Sequence, residues 1–189
     1  SGYSFFKIFD PKERIIAVAP FRDRVVHHAL INVIEPVYEK VFIYDSYATR
    51  KRKGTHAAIR RAQQFMRRSQ WYLKMDVKKY FASIDHDILM ALIRRKLKDK
   101  KIYDLLEKIV RHPEYPGTGL PIGNLTSQFL ANVYLNDFDH LMTENNSGVC
   151  YIRYMDDFVF FSKTRKQLSE LKEEVSEYLY ERYKLTIKT

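Results

Sequence analysis

Asp156 and Asp157 are adjacent carboxylates between two runs of β-branched and aromatic residues. Val149-Cys150-Tyr151-Ile152-Arg153-Tyr154 precedes them and Phe158-Val159-Phe160-Phe161 follows. The pattern predicts strand, tight turn, strand, with the acids at the turn. Like charges at the tip of an apolar hairpin repel, and a bound divalent cation removes that cost. Taken alone, the pair reads equally well as a polar hairpin turn. A third acid, Asp76, stands near the end of the short apolar run Trp71 to Val77. Three carboxylates with no nearby His or Cys suit hard, oxygen-preferring cations, Mg²⁺ first and Mn²⁺ as a substitute. Two such ions about 3.5–4 Å apart are a common means of in-line phosphoryl transfer. One activates the attacking hydroxyl and the other steadies the leaving pyrophosphate. Positioning and charge neutralisation supply most of such catalysis.

The surrounding elements must bring these acids together. Residues 3–19 read as two strands around an Asp10-Pro11-Lys12-Glu13 turn, with Lys7, Lys12 and Arg14 as edge charges that keep the hairpin soluble. Pro20-Phe21-Arg22-Asp23 opens a helix to about Phe42, with Val26, Ala29, Leu30, Val33, Ile34 and Val37 as its apolar stripe and a break or kink at Pro36. His27 and His28 are adjacent, face different sides and read as structural. Residues 49–70 carry eight Lys or Arg and no acid. Such a cluster self-repels unless polyanions neutralise it, so it is read as a phosphate contact. Within it, Gly54-Thr55 starts a helix to about Arg68.

The strand Trp71–Val77 follows. Asp85 is placed to N-cap a helix from about His86 to Leu97, and a second helix runs from about Ile102 to Arg111. Residues 112–119 form a Pro/Gly loop. A long helix is expected over about Leu125–Thr143, then the acidic hairpin, then an amphipathic helix over 165–183 that buries Leu168, Leu171, Val175, Tyr178 and Leu179. Leu185-Thr186-Ile187 reads as a last strand. Apart from the inserted helices, the order from residue 71 is βαββαβ, an antiparallel sheet with helices on one face. That plan lets the Asp76 strand lie beside the Asp156-Asp157 hairpin.

Composition agrees with a folded domain facing a polyanion. The 189 residues are 46% hydrophobic and carry a net charge of +10. Such a chain has a core and favours nucleic acid or an anionic membrane surface. No apolar run approaches the ~18 residues of a membrane span, and no signal peptide is legible. The single Cys150 excludes an internal disulfide and a Cys-based zinc site and reads as core filler. A reducing, intracellular setting is expected.

The ordered motifs resemble those of reverse transcriptases. Asp76 with Phe81, the run Gly119 to Gln128 (GLPIGNLTSQ) and Tyr154-Met155-Asp156-Asp157 stand in the order of the palm motifs. Arg14 to Arg24 resembles the fingers motif of bacterial and group II intron-type enzymes, and Ser46-Tyr47 through His56-Ala57 the motif after it. The resemblance implies an α+β fold: a right-hand polymerase palm (βαββαβ, ferredoxin-like) with a fingers subdomain and no thumb. Fingers would span 1–70 and palm 71–189, with a helical insertion over about 86–118. It implies an RNA-directed DNA polymerase with Asp76, Asp156 and Asp157 as metal carboxylates and a backbone contribution from Val77. Arg14 and Lys7 would reach the triphosphate, and Phe81 would bar a 2′-hydroxyl. Ile122, Gly123 and Gln128 would lie at the nucleotide. Arg50, Lys51, Arg52, Lys53, Arg60, Arg61, Tyr154 and Met155 would meet nucleic acid. The implied partners are an RNA template, a DNA or RNA primer, dNTPs and a retroelement accessory protein. Two Mg²⁺ ions are the implied cofactors.

One departure points to a subtype. Most reverse transcriptases carry Gln-Gly and Ser-Pro where this chain has Ile122-Gly123 and Ser127-Gln128. The variant resembles the enzymes of diversity-generating retroelements, which copy with errors at adenines. A retron, defence or group II intron-type enzyme is the alternative. A non-catalytic RNA-binding module on the same sheet plan is the alternative of another class. As a fingers-and-palm piece, the chain is expected to be weakly active or inactive alone.

Overall fold

The computed structural model describes residues 2–9 and 13–188, so the expected turn at residues 10–12 lies outside the described residues. The elements run β1 (Ser4–Phe9), β2 (Glu13–Val18), α1 (Phe21–Glu39), α2 (Thr55–Met66), β3 (Trp71–Asp76), α3 (Tyr80–Ser83), α4 (His86–Lys96), α5 (Lys100–Val110), α6 (Leu125–Tyr134), α7 (Asn136–Asn145), β4 (Cys150–Tyr154), β5 (Asp157–Ser162) and α8 (Arg165–Tyr183). They form two compact units that alternate along the chain. One comprises Ser1–Val41 and Phe81–Tyr134, the other Phe42–Tyr80 and Leu135–Thr189.

In the first unit, β1 and β2 pair antiparallel, with Ser4 opposite Val18. The expected stripe of α1 is corrected. Its buried residues are His27, Leu30, Ile31, Ile34 and Tyr38, while Val26, Ala29, Val33 and Val37 are exposed. The helix is apolar on nearly every side, so periodicity alone does not choose the inner face. Packing on α6 chooses it, with Tyr38 set edge-on against Phe129. Pro36 lies in the last turn, where it lacks the N–H that would bond the Asn32 carbonyl, yet α1 continues to Glu39. Asp85 and Asp99 cap α4 and α5, each accepting two backbone N–H bonds. The single long helix expected over 125–143 is instead α6 and α7, broken at Leu135 (φ −100°, ψ 5°). Most of α6 is buried, whereas α7 buries only Asn136, Phe138, Asp139 and Met142. A straight helix does not satisfy both demands.

In the second unit the strand order is β3-β5-β4, antiparallel throughout. The expected last strand is only a bridge between Val77 and Ile187. It is flanked by bonds from Lys78 N–H to Thr186 O and from Lys188 N–H to Asp76 O, each 2.8 Å. Strand alternation puts Leu73, Met75, Tyr151, Arg153, Phe158 and Phe160 on one face. There Phe138 of α7 packs on Tyr151 and Phe158, and α8 covers β3 and β5. Burying each such Phe stabilises by about 1.5–3 kcal/mol. The opposite face carries Lys74, Asp76, Cys150, Ile152, Tyr154, Asp157, Val159 and Phe161. Helix α2 covers its apolar part, with Phe65 against Phe161 and Ile152. The helices of the expected palm, α7 and α8, thus share one face, and α2 from the preceding segment lies on the other. Cys150 is half-buried beside this cluster, and burial pushes its thiol pKa up, in keeping with core filler.

Candidate active site

Strand pairing sets two of the three predicted carboxylates side by side. Asp76, the last residue of β3, is the cross-strand partner of Asp157, the first residue of β5. Asp157 is also opposite Tyr154. Asp156 occupies the turn with Met155, and its carbonyl accepts a 3.3 Å bond from Val77 N–H. The hairpin tip is thereby joined to the end of β3. Asp76 and Asp157 stay open to solvent, their side chains 37% and 42% exposed.

Each of these two acids is met by a lysine. Lys74 Nζ lies 2.9 Å from Asp157 Oδ1, and Lys188 Nζ lies 3.3 Å from Asp76 Oδ2. Hydrogen bonding to Asp157, and then its charge, holds the Lys74 pKa above the ordinary lysine value. Among the described residues, no three Asp, Glu, His or Cys side chains are gathered so as to hold a metal ion. The lysines supply the positive charge instead. The donor set still suits a hard divalent cation, since it offers oxygen alone and stands at an accessible edge.

Met155 has φ +56°, a left-handed conformation that is uncommon for a side chain of its size. Tyr154 is partly exposed, and its hydroxyl accepts a 3.1 Å bond from Thr55 Oγ1 at the start of α2.

The basic segment divides into inward and outward groups. Arg50 Nη1 donates to the carbonyls of Ile43 (2.7 Å) and Ser46 (2.8 Å). Lys53 Nζ donates to Tyr44 O at 2.6 Å and sits over the Tyr44 ring. Arg61 forms two bonds to Asp45, 2.9 and 3.1 Å long. These three hold the 42–61 segment in shape. Lys51, Arg52 and Arg60 face solvent.

The remaining predicted residues belong to the first unit. Lys7 pairs with Glu13 at 2.8 Å, both exposed. Lys7 is opposite Ile15 and Arg14 opposite Ile8, so alternation puts Lys7 and Arg14 on opposite faces of the β1–β2 hairpin. Ile122 O accepts a 2.8 Å bond from Ala17 N–H. Gly123 has φ +116°, and a Cβ there would meet Ile16 Cγ2 at 2.8 Å and Ala17 O at 2.9 Å. Glycine is thus required where this loop presses on β2, and Ile16 shares a face with Arg14. Phe81, in α3, is half-buried, and its carbonyl accepts from Leu120 N–H at 2.8 Å. Gln128 is half-buried in α6.

Sequence reasoning missed Lys74, Lys188 and the buried pair Arg153–Asp139. A legible signal existed for two of them. Lys74 is two residues from Asp76 in a strand, hence on its face, and Arg153 is a lone charge in an apolar strand. No helix among the described residues is long and apolar enough to cross a membrane.

The chain is 28% identical to Protein YkfC of Escherichia coli (strain K12), over 89% of this chain and 57% of that protein. It is 30% identical to Group II intron-encoded protein LtrA of Lactococcus lactis subsp. cremoris, over 70% of this chain and 23% of that one. It therefore spans little more than half of the first relative and about a quarter of the second. Apo telomerase from Candida tropicalis shares the fold, with a TM-score of 0.73 at 11% identity over 99% of this chain and 43% of that chain. The family described as "Reverse transcriptase (RNA-dependent DNA polymerase)" matches residues 10–189, and the chain belongs to that family.

Proposed function

We propose that this chain carries the nucleotidyl-transfer site of an RNA-directed DNA polymerase. The observation that carries the reading is the cross-strand pairing of Asp76 with Asp157 at an open sheet edge, with Asp156 in the adjoining turn. The family generally uses divalent ions such as Mg²⁺. Asp76, Asp156 and Asp157, with the backbone of Val77, would hold two such ions, with Mn²⁺ as substitute. When bound, they would supply a polarised 3′-hydroxyl and positive charge for the leaving pyrophosphate. For this, Lys74 and Lys188 must release their carboxylates. The working division is fingers 1–70 and palm 71–189.

The protein's own residues do the rest. Solvent-facing Lys51, Arg52 and Arg60 contact template and primer phosphates, and Arg14 contacts the triphosphate. The Phe81 ring excludes a ribose 2′-hydroxyl and so selects dNTPs. RNA is the template, DNA or RNA the primer, and an accessory protein of the element a further partner. The setting is intracellular.

The finer reading is error-prone copying of the diversity-generating kind. It rests on Ile122, whose alkyl side chain stands where the resemblance to most reverse transcriptases implies an amide. One absent polar contact is worth about 1–3 kcal/mol of discrimination. The likeness to LtrA favours a second reading, a group II intron-type enzyme. Replacing Ile122→Gln separates the two. The first reading expects fewer misincorporations at template adenines, and an unchanged spectrum contradicts it.

The test of the main reading is extension of a primed RNA template with dNTPs and Mg²⁺ by wild type and Asp156→Ala. Extension by wild type, reduced roughly a thousandfold in the variant (about 4 kcal/mol of barrier), is expected. Equal extension by both contradicts the site.

A further inference from the structure

The acidic turn is supported from behind by a charge cluster that faces away from the carboxylates. Arg153 and Asp139 form an ion pair whose side chains are both 0% exposed. Arg153 Nε donates to Asp139 Oδ1 at 2.7 Å and Nη2 to Oδ2 at 2.6 Å. Tyr151 OH adds a third bond to Oδ1 at 2.8 Å. Desolvation pulls the Arg153 pKa down, but the charge and hydrogen bonds of Asp139 reverse this and leave it raised. Burial, and then Asp139, pushes the Tyr151 pKa up.

Two features set this cluster apart from an ordinary buried ion pair. First, Arg153 Nη1 reaches round to donate to Met155 O at 3.0 Å. Met155 is the residue with φ +56°, directly before Asp156 and Asp157. Second, the Arg153 backbone is held on both sides, its N–H donating to Asp45 O at 2.9 Å and its carbonyl accepting from Tyr47 N–H at 3.0 Å. The planar guanidinium therefore fixes the turn relative to α7, while the main chain fixes β4 relative to residues 45–47. A buried pair often contributes no more stability than an apolar pair of similar volume. An apolar pair, however, supplies no donor for Met155 O. A lysine has a single ammonium and does not reproduce the fork.

We propose that Arg153 and Asp139 are positioning residues that hold the Met155 turn in the conformation presenting Asp156 and Asp157 to metal. The proposal rests on the polymerase reading above. It deepens that reading by assigning the set of the carboxylates to a cluster that touches neither substrate nor metal.

The experiment measures Mn²⁺ binding by electron paramagnetic resonance, and thermal unfolding, on the full chain. Three proteins are compared: wild type, the double variant Asp139→Leu with Arg153→Met, and Arg153→Lys. The double variant is expected to melt within a few degrees of wild type and to bind Mn²⁺ at least tenfold more weakly. Arg153→Lys keeps the charge, loses the fork and is expected to weaken binding at least threefold. Unchanged Mn²⁺ affinity in either folded variant overturns the proposal. Failure of both variants to fold also overturns it, because the pair is then structural. Wild type that binds no Mn²⁺ overturns the polymerase reading and this proposal together, so the two failures are distinct.

Discussion

Arg153 and Asp157 lie on the same β4–β5 hairpin, and each faces an opposite charge, but in different surroundings. The Arg153–Asp139 pair is sealed, with 0% exposure on both sides and every contact short. The Asp157–Lys74 pair is open, at 42% and 60%. In the sealed pair, desolvation makes either partner costly to leave alone, so the arrangement is effectively permanent. In the open pair, water and salt screen the attraction, and either partner can be exchanged. One hairpin thus carries a fixed charge cluster beneath the sheet and an exchangeable one above it. The fixed cluster suits a scaffold, and the exchangeable one suits a site that must accept a cation from solution.

The largest expected effect breaks the sealed side. Asp139→Ala leaves Arg153 buried without its counter-charge and should cost about 3–5 kcal/mol, read by urea unfolding. A loss below 1 kcal/mol would place the pair in the exchangeable class. The smallest sharpens the open side. Lys74→Met should change stability by less than about 1 kcal/mol, since Lys74 is largely exposed. The sign with pH follows from its raised pKa. The Lys74 contribution is complete below the ordinary lysine value of 10.5 and fades as pH rises through the folded-state value. Wild type and Lys74→Met should therefore converge in stability on the alkaline side. A gap that widens there contradicts the pairing.

Much of this arrangement was legible from residue patterns. The succession of β3, helices, the β4–β5 hairpin and α8, the Asp85 cap and the approach of Asp76 to the hairpin follow from alternation, turn chemistry and spacing, while the last strand of the βαββαβ plan is reduced to a bridge. What escaped depends on three-dimensional choice. The inner face of α1 is set by Phe129 on a distant segment, because Val25, Val26, Val33 and Val37 match helical spacing as well as the buried residues do. The break at Leu135 answers a change in burial that periodicity does not carry. Arg50, Lys53 and Arg61 read from the sequence as phosphate contacts, and the bonds they make to carbonyls and to Asp45 of their own segment were not legible there. The acid was only a few residues outside the basic run, where a charge count does not reach. Asp139 carries no sequence signal of its pairing, since nothing local links it to a strand residue beyond the next loop.

On the proposed function, the open carboxylates exchange their lysines for divalent metal. Titrating the chain with Mn²⁺, as wild type and as Asp76→Asn, tests it most directly. Saturable binding by wild type and at least a tenfold loss in the variant are expected, with unfolding little changed. Equal Mn²⁺ binding by the two proteins would contradict it.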